Sequence, residues 1–369
     1  MSTTLPDRLQ APTPEEANLV RAAPAPVLPR VSARRPILVA LAILIGAVVL
    51  GVSVGPADIS LSTVFSALLG HLPLLHHHSH TSALDWDVIW QIRLPRVVLG
   101  GLVGAMLAGG GAAYQGVFRN PLADPYLLGV AAGAGLGATL VIVEGSGTNV
   151  NQFLPFAAFA GAIGAVVLTY LVGVTSGRRA STASIVLAGV AVAALFTAMQ
   201  TYLQQQHEPD LQGVYAWILG SLGTASWSDV TLIIPYVLLS AVVLLLHRRL
   251  LDVLRVGEEE AGALGINAAR VRLIVVAAAT LGTAAAVSVS GLIGFVGIIV
   301  PHTVRLLSNA SYRVVLPVSM IGGAAFLILA DVVARTVQSP AEIPIGVVTA
   351  FVGAPFFLFL LRSRRTGVL

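Results

Sequence analysis

Residues 93–125 read RLPRVVLGGLVGAMLAGGGAAYQGVFRNPLADP. Between Arg96 and Arg119 no residue carries a charge. As a helix rising 1.5 Å per residue, such a stretch is long enough to cross about 30 Å of hydrocarbon. Its many glycines suit close approach to neighbouring helices. Pro121 and Pro125 then close it, because two prolines four apart cannot lie inside a regular helix. They predict an ordered turn before the next apolar run.

The same pattern recurs along all 369 residues. Apolar runs of spanning length occur at about 36–55, 96–117, 126–144, 153–175, 183–204, 229–247, 270–289, 292–308, 314–335 and 344–361. The run at 292–308 is the shortest and holds Pro301, His302 and Arg305. The chain is 56% hydrophobic and only 10% charged, against about 25% charged in a soluble globular protein. These features predict an all-α polytopic membrane protein of about ten transmembrane helices, with both ends on one side. Residues 1–35, rich in Pro, Ala and charge, read as a disordered tail, and 36–365 as a transmembrane domain.

Charge sets the orientation. The chain contains no lysine, and all 21 of its basic residues are arginines. With the N-terminus inside, 18 of them fall inside or at the inner interface, the bias expected of cytoplasmic loops. Arg93, Arg96 and Arg335 break the pattern and lie at the outer level. Arg93 and Arg96 share one helix face by their i, i+3 spacing. The high arginine content is therefore explained by membrane topology, and no nucleic acid is implied. Without lysine there is no Walker-type phosphate loop, so any ATP would be bound by another subunit. There is no cysteine, which excludes disulfides and thiolate metal sites.

Further motifs flank this frame. Residues 90–96 read WQIRLPR, and 119–125 read RNPLADP. Towards the C-terminus come Gly291-Leu292-Ile293-Gly294-Phe295-Val296-Gly297, Val300-Pro301-His302, Ala330-Asp331, Glu342-Ile343-Pro344-Ile345-Gly346 and Gly353-Ala354-Pro355. In order and spacing these resemble the FecCD family, the permease subunits of ATP-driven importers for ferric siderophores, haem and vitamin B12. The likeness covers about 36–365.

The resemblance implies a type II ABC importer permease fold in the bacterial cytoplasmic membrane, working as a homodimer with two ATPase subunits and an extracytoplasmic substrate-binding protein. It implies no cofactor on this chain, ATP and magnesium on the partner ATPase, and no chemistry by the permease itself. By position it makes Arg93, Arg96 and Arg335 docking forks for carboxylates of the binding protein, a pairing that guanidinium geometry favours; interfacial anchoring is the plain alternative. It places gates at Asn120 and Leu122 and at Thr182 and Ala183. A rigid hairpin and a helix N-cap are the structural alternatives at these two places. The stretch around Glu258, Glu259, Glu260, Ala261, Leu264 and Gly265, within about 248–269, resembles the coupling helices that meet the ATPase.

In the fifth run, Thr197, Gln200, Thr201 and Gln204 follow i, i+3, i+4, i+7 spacing and form one polar stripe. The stripe fits either a wall of the translocation path or hydrogen bonding between helices. His71, His76, His77, His78 and His80 cluster in the outer loop 56–92, where a solvated loop competes with metal or haem contact. An ion-coupled secondary transporter is the rival function. Such proteins hold ionisable residues at depth, and Asp331 is the one candidate here, without an obvious partner in the sequence.

Overall fold

The computed structural model describes residues 34–55, 59–60, 62–64, 66, 82–145, 150–175, 182–308 and 311–365. Of the tail reading for 1–35, residues 1–33 lie outside the described residues, as do the histidines between 71 and 80, whereas Arg34 and Arg35 open the first helix and so belong to the helical domain. All regular structure among the described residues is helical. The helices are α1 (Arg34–Ser53), α2 (Ala83–Asp87), a π-helical segment (Val88–Arg93), α3 (Leu94–Val117), α4 (Val130–Glu144), α5 (Val150–Thr175), α6 (Thr182–Gln206), α7 (Leu211–Ile218), α8 (Trp227–Val256), α9 (Glu258–Ala263), α10 (Ala268–Ser290), α11 (Val296–Leu307), α12 (Tyr312–Thr336) and α13 (Ile345–Arg365).

Seven helical stretches among the described residues are long and apolar enough to cross a membrane, and shorter apolar helices stand at Val130–Glu144, Val296–Leu307 and Ile345–Phe359. Each of the ten apolar runs thus contains an apolar helix, though three of the ten are short. Exposed Leu38, Ile43, Phe156, Leu187, Leu246 and Phe351 lie on the outside of the bundle, as lipid contact requires.

α3 forms the centre. Most of its side chains are buried, and it packs against α8, α10, α11 and α12. Glycine makes this possible. A Cβ on Gly104 would overlap the carbonyl of Gly323 in α12, and one on Gly111 would overlap the backbone of Gly297 in α11. Backbone thus meets backbone at both contacts, the small-residue packing expected where burial from water cannot drive association.

Three of the boundaries that differ from the sequence reading have a clear local reason. The second span does not begin at 96, because helical structure is continuous from Ala83 to Val117. Pro95 has no N–H to give, and the π turn before it, with Leu94 N–H donating to Ile89 O, absorbs the break. The sixth span continues without interruption to Val256, so residues 248–256 belong to a helix rather than a loop. The run at 292–308 is helical only from Val296. Gly291 and Phe295 both adopt φ of 69°, which unwinds the chain between α10 and α11. The unwound backbone finds partners: Tyr126 Oη donates to Ile293 O at 3.1 Å, and Ser221 N–H donates to Ser290 O at 2.9 Å. Irregular backbone at membrane depth is tolerated when its polar groups are satisfied in this way.

Candidate functional site

Two polar centres stand at opposite ends of α3. The first gathers Arg93, Arg96 and Arg335. Arg93 closes the π segment, Arg96 opens α3 behind Pro95, and Arg335 sits in the last turn of α12. Arg93 Nη1 donates to Val52 O at 2.8 Å and Ser53 O at 2.7 Å. Arg335 Nη2 donates to Gly51 O at 2.6 Å. These carbonyls end α1 and have no partner within the helix, so the two arginines cap its negative pole.

Arg96 does something different. Its Nε donates to both Asp331 oxygens at 3.0 Å and its Nη2 to Asp331 Oδ1 at 2.8 Å. Its Nη1 and Nη2 also reach Glu342 Oε1 and Oε2 at 2.7 and 2.9 Å. One planar guanidinium is thus forked by two carboxylates, with Arg335 Nε a further 3.5 Å from Asp331 Oδ2. Relative exposures are 3% for Arg93, 6% for Arg96, 3% for Arg335 and 2% for Asp331, whereas the Glu342 side chain is 35% exposed. The hydrogen bond from Arg96 holds the Glu342 carboxyl below its ordinary value.

The structure therefore brings the three arginines together but turns their forks inward. The surface of the cluster is Glu342. Sequence reading left Asp331 without a partner; its partners are Arg96 and Arg335. Alternation of charge along the chain gives no sign of a contact between residues 235 positions apart.

The second centre lies at the far end of α3. The Pro121–Pro125 turn is ordered, but it climbs back along α3 instead of standing as a surface loop. Pro125 lies beside Gly110 and Asp124 beside Gly297. Asp124 Oδ1 caps the following 3-10 turn by accepting from Tyr126 N–H at 2.8 Å. The Asn120 side chain closes the turn by accepting Leu122 N–H at 3.0 Å, and Leu122 is exposed. Ala183, at the start of α6, is also exposed; the side chain of Thr182 lies outside the described residues.

The polar stripe on α6 does not share one environment. Gln200 is buried, its amide against Gly135 of α4. Thr197 and Thr201 are exposed, and the Thr201 hydroxyl donates to Thr197 O at 2.9 Å; Gln204 is half-buried. Helical spacing put the four on one side, but α4 covers the middle of it.

After α8, Gly257 turns the chain into α9, and Gly265 with φ of 75° turns it out again. Ala261 is fully buried and pins α9, while Glu259, Glu260, Leu264 and Gly265 are exposed beside Val256; the side chain of Glu258 lies outside the described residues. A polar chain missed in the sequence runs from here to α3. Asp252 accepts from Tyr312 N–H at 2.7 Å and Ser311 Oγ at 2.8 Å. Arg305 donates to the Tyr312 hydroxyl and to Gln115 Oε1, and Gln115 Nε2 donates to Gly297 O at 3.0 Å. Ser311-Tyr312 at a helix start was the available signal, since Ser311 also accepts Arg313 N–H.

The FecCD transport family pattern matches residues 42–363. The chain belongs to the FecCD transport family. The cobalamin import system permease protein BtuC of Halobacterium salinarum is 39% identical over 357 residues, covering 89% of this chain and 95% of the relative. The Fe(3+)-citrate import system permease protein YfmE of Bacillus subtilis is 37% identical, covering 88% and 94%. The hemin transport system permease protein HmuU of Yersinia pestis is 37% identical, covering 82% and 93%. A metal-chelate type ABC transporter solved in an inward-facing conformation superposes with a TM-score of 0.77 at 31% identity, covering 89% of this chain and 99% of that one. This FecCD chain is thus a multi-pass membrane protein with the helical fold of a metal-chelate transporter, as the sequence motifs implied.

Proposed function

We propose that this chain is the membrane-spanning subunit of an ABC importer that carries a metal chelate (a ferric siderophore, haem or a cobalamin) across the bacterial cytoplasmic membrane. The observation that carries this reading is the family match over 42–363, joined to near full-length relatives that import cobalamin, ferric citrate and haemin. The chain works as a homodimer, ten spans per copy with both termini cytoplasmic, and α6 and α13 line the path. Two ATPase subunits bind ATP and magnesium. This chain binds no cofactor and performs no chemistry.

Partner recognition uses both polar centres. A binding protein docks over Arg93, Arg96 and Arg335 through its own carboxylates. Because Arg96 already holds Glu342, docking is an exchange in which an incoming carboxylate takes the place of the half-exposed Glu342 while buried Asp331 stays. At the other face, α9 with exposed Glu259, Glu260 and Leu264 seats in the ATPase. The inner gate is formed by Asn120 and Leu122 together with Thr182 and Ala183, and exposed Thr197 and Thr201 contribute to the path. The Asp252–Tyr312–Arg305–Gln115 chain supports a mechanical link from the ATPase contact to the gate turn.

The rival ion-coupled mechanism needs an acid free to exchange a cation, and Asp331 is held by Arg96 and Arg335. The test is uptake by proteoliposomes holding the dimer with its ATPase and binding protein, using cyanocobalamin, haemin and a ferric hydroxamate as probes. ATP-dependent uptake of one of the three is expected. Uptake driven by a proton gradient without ATP would overturn the assignment.

A further inference from the structure

Three cavities follow one another along α5, α8 and α10, the first also walled by Gly213, Ala216 and Trp217 of α7. The first, about 810 Å³, lies at the same end of the bundle as the arginine clamp and includes Gln152 of α5, Ser228 and Asp229 of α8 and Ser290 of α10. Its roof is the 219–226 loop, whose Gly223 lies beside Glu342. The second is a neck of about 20 Å³ that meets Phe159, Tyr236 and Ala285. The third, about 590 Å³, begins at Ile163, Leu239 and Leu281. From Phe159 to Ile163, Tyr236 to Leu239 and Ala285 to Leu281, the lining advances one helical turn on all three helices at once. Residue character changes along the way, from hydroxyls, an amide and a carboxylate to an almost wholly aliphatic wall. The lining of α10 from Ser290 to Leu273 spans about 25 Å, the reach of one fatty acyl chain and its head.

We propose that these cavities form one groove, a binding site for a single phospholipid with a primary-amine headgroup, phosphatidylethanolamine, its head among the serines beside Asp229 and one acyl chain threaded past Ala285. Among the described residues, Asp229 is the sole charged one lining the head cavity. Its Oδ2 already takes Ser226 Oγ at 2.6 Å in the cap of α8, which fixes the carboxylate at the rim, where an ammonium complements it. An anionic head would face that carboxylate with no arginine in the wall to answer it. The neck of about 20 Å³ has no room for two chains side by side, so the second stays in bulk lipid. The assignment of this end to the outer leaflet rests on the importer topology proposed above; the groove itself does not, since α6 and α13 of the proposed path do not line it.

The test is native mass spectrometry of the detergent-purified dimer after delipidation and exposure to equimolar phosphatidylethanolamine and phosphatidylglycerol. Phosphatidylethanolamine is expected to be retained at least threefold over phosphatidylglycerol, one molecule per chain. Asp229→Asn, which keeps an oxygen to cap the helix, should abolish the preference but not retention. Ala285→Leu should close the neck and lower retention of both lipids. Equal retention of the two lipids by the parent protein, no retained lipid, or preferential retention of a chelate in the cavity each overturns the proposal. The parent measurement stands even where Ala285→Leu fails to fold. Because it needs neither ATP nor a binding protein, its failure is separate from failure of the import assignment.

Discussion

Replacing Arg96 by alanine tests whether the clustered arginines are ties within the chain or hooks held out to a partner. Arg96 is 6% exposed and Asp331 2%, and five hydrogen bonds from one guanidinium join it to Asp331 and Glu342. Removing one member of a buried pair leaves the other charge uncompensated, at a cost of about 3–5 kcal/mol. Arg335 still lies 3.5 Å from Asp331, which places Arg96→Ala at the lower end, about 3 kcal/mol. Glu342 is different. With its side chain 35% exposed, solvent screens the bond, and Glu342→Gln should cost less than about 1 kcal/mol. The assay is thermal unfolding of the detergent-solubilised protein. Arg96→Ala should melt several degrees below Glu342→Gln, and Arg96→Met with Asp331→Leu should recover only part of the loss, because the apolar pair needs no counter-charge but buried Arg335 then loses its own. Parent-like melting of Arg96→Ala would refute the clamp and leave the arginine free for docking alone.

Three other perturbations follow from the same geometry. Gly111→Ala should cost about 1–3 kcal/mol through overpacking against Gly297, whereas Gly46→Ala, with nothing within 4 Å of the added carbon, should leave melting unchanged or slightly raised. Asp252→Ala should cost about 1–3 kcal/mol by unmaking two hydrogen bonds to a charged group, and Asp252→Asn should restore part of the melting temperature. Glu342 has its folded pKa depressed from 4.5, so the bond to Arg96 contributes stability above pH 4.5 that is lost as pH falls through the lower folded value. The melting gap between the parent and Glu342→Gln should therefore hold from pH 8 to 5 and close on further acidification; a gap that closes between pH 7 and 6 would contradict the pairing.

The spans were legible because a hydrocarbon layer imposes a one-dimensional rule: uncharged runs of fixed length, with arginine held at one face. That rule says where a residue sits along the membrane normal but not what it touches. Arg96 was placed level with Arg335, and the structure joins the two at Asp331, yet its partners lie in α12 and in the loop after it. Spacing likewise aligned Gln200 with Thr197 and Thr201, but only the packing of α4 decides that Gln200 is covered. Helix ends were harder. Pro95 and Gly257 look alike as breakers in sequence, but a π turn carries the helix through the first and nothing carries it through the second.

Burial of the arginines and a docking role for them are compatible, and the reason bears on mechanism. A freely exposed guanidinium would gain little from a partner's carboxylate, since exposed pairs contribute about 0–1 kcal/mol. A guanidinium already desolvated and aligned by Asp331 carries no further desolvation cost when Glu342 gives way to another carboxylate of the same geometry. The exchange is then close to balanced, and affinity has to come from the rest of the contact. It also has a structural consequence. Ile343 N–H donates to Ala334 O, and Ile345 N–H and Gly346 N–H donate to Gly220 O and Leu219 O. On the proposed docking, release of Glu342 would pull on the link between α12, α13 and the 219–226 loop, and α13 is one of the two helices proposed to line the path. Docking and opening would be coupled through Glu342. Glu342→Gln should then raise basal ATP hydrolysis of the assembled transporter without the binding protein present, and unchanged basal hydrolysis would separate docking from opening.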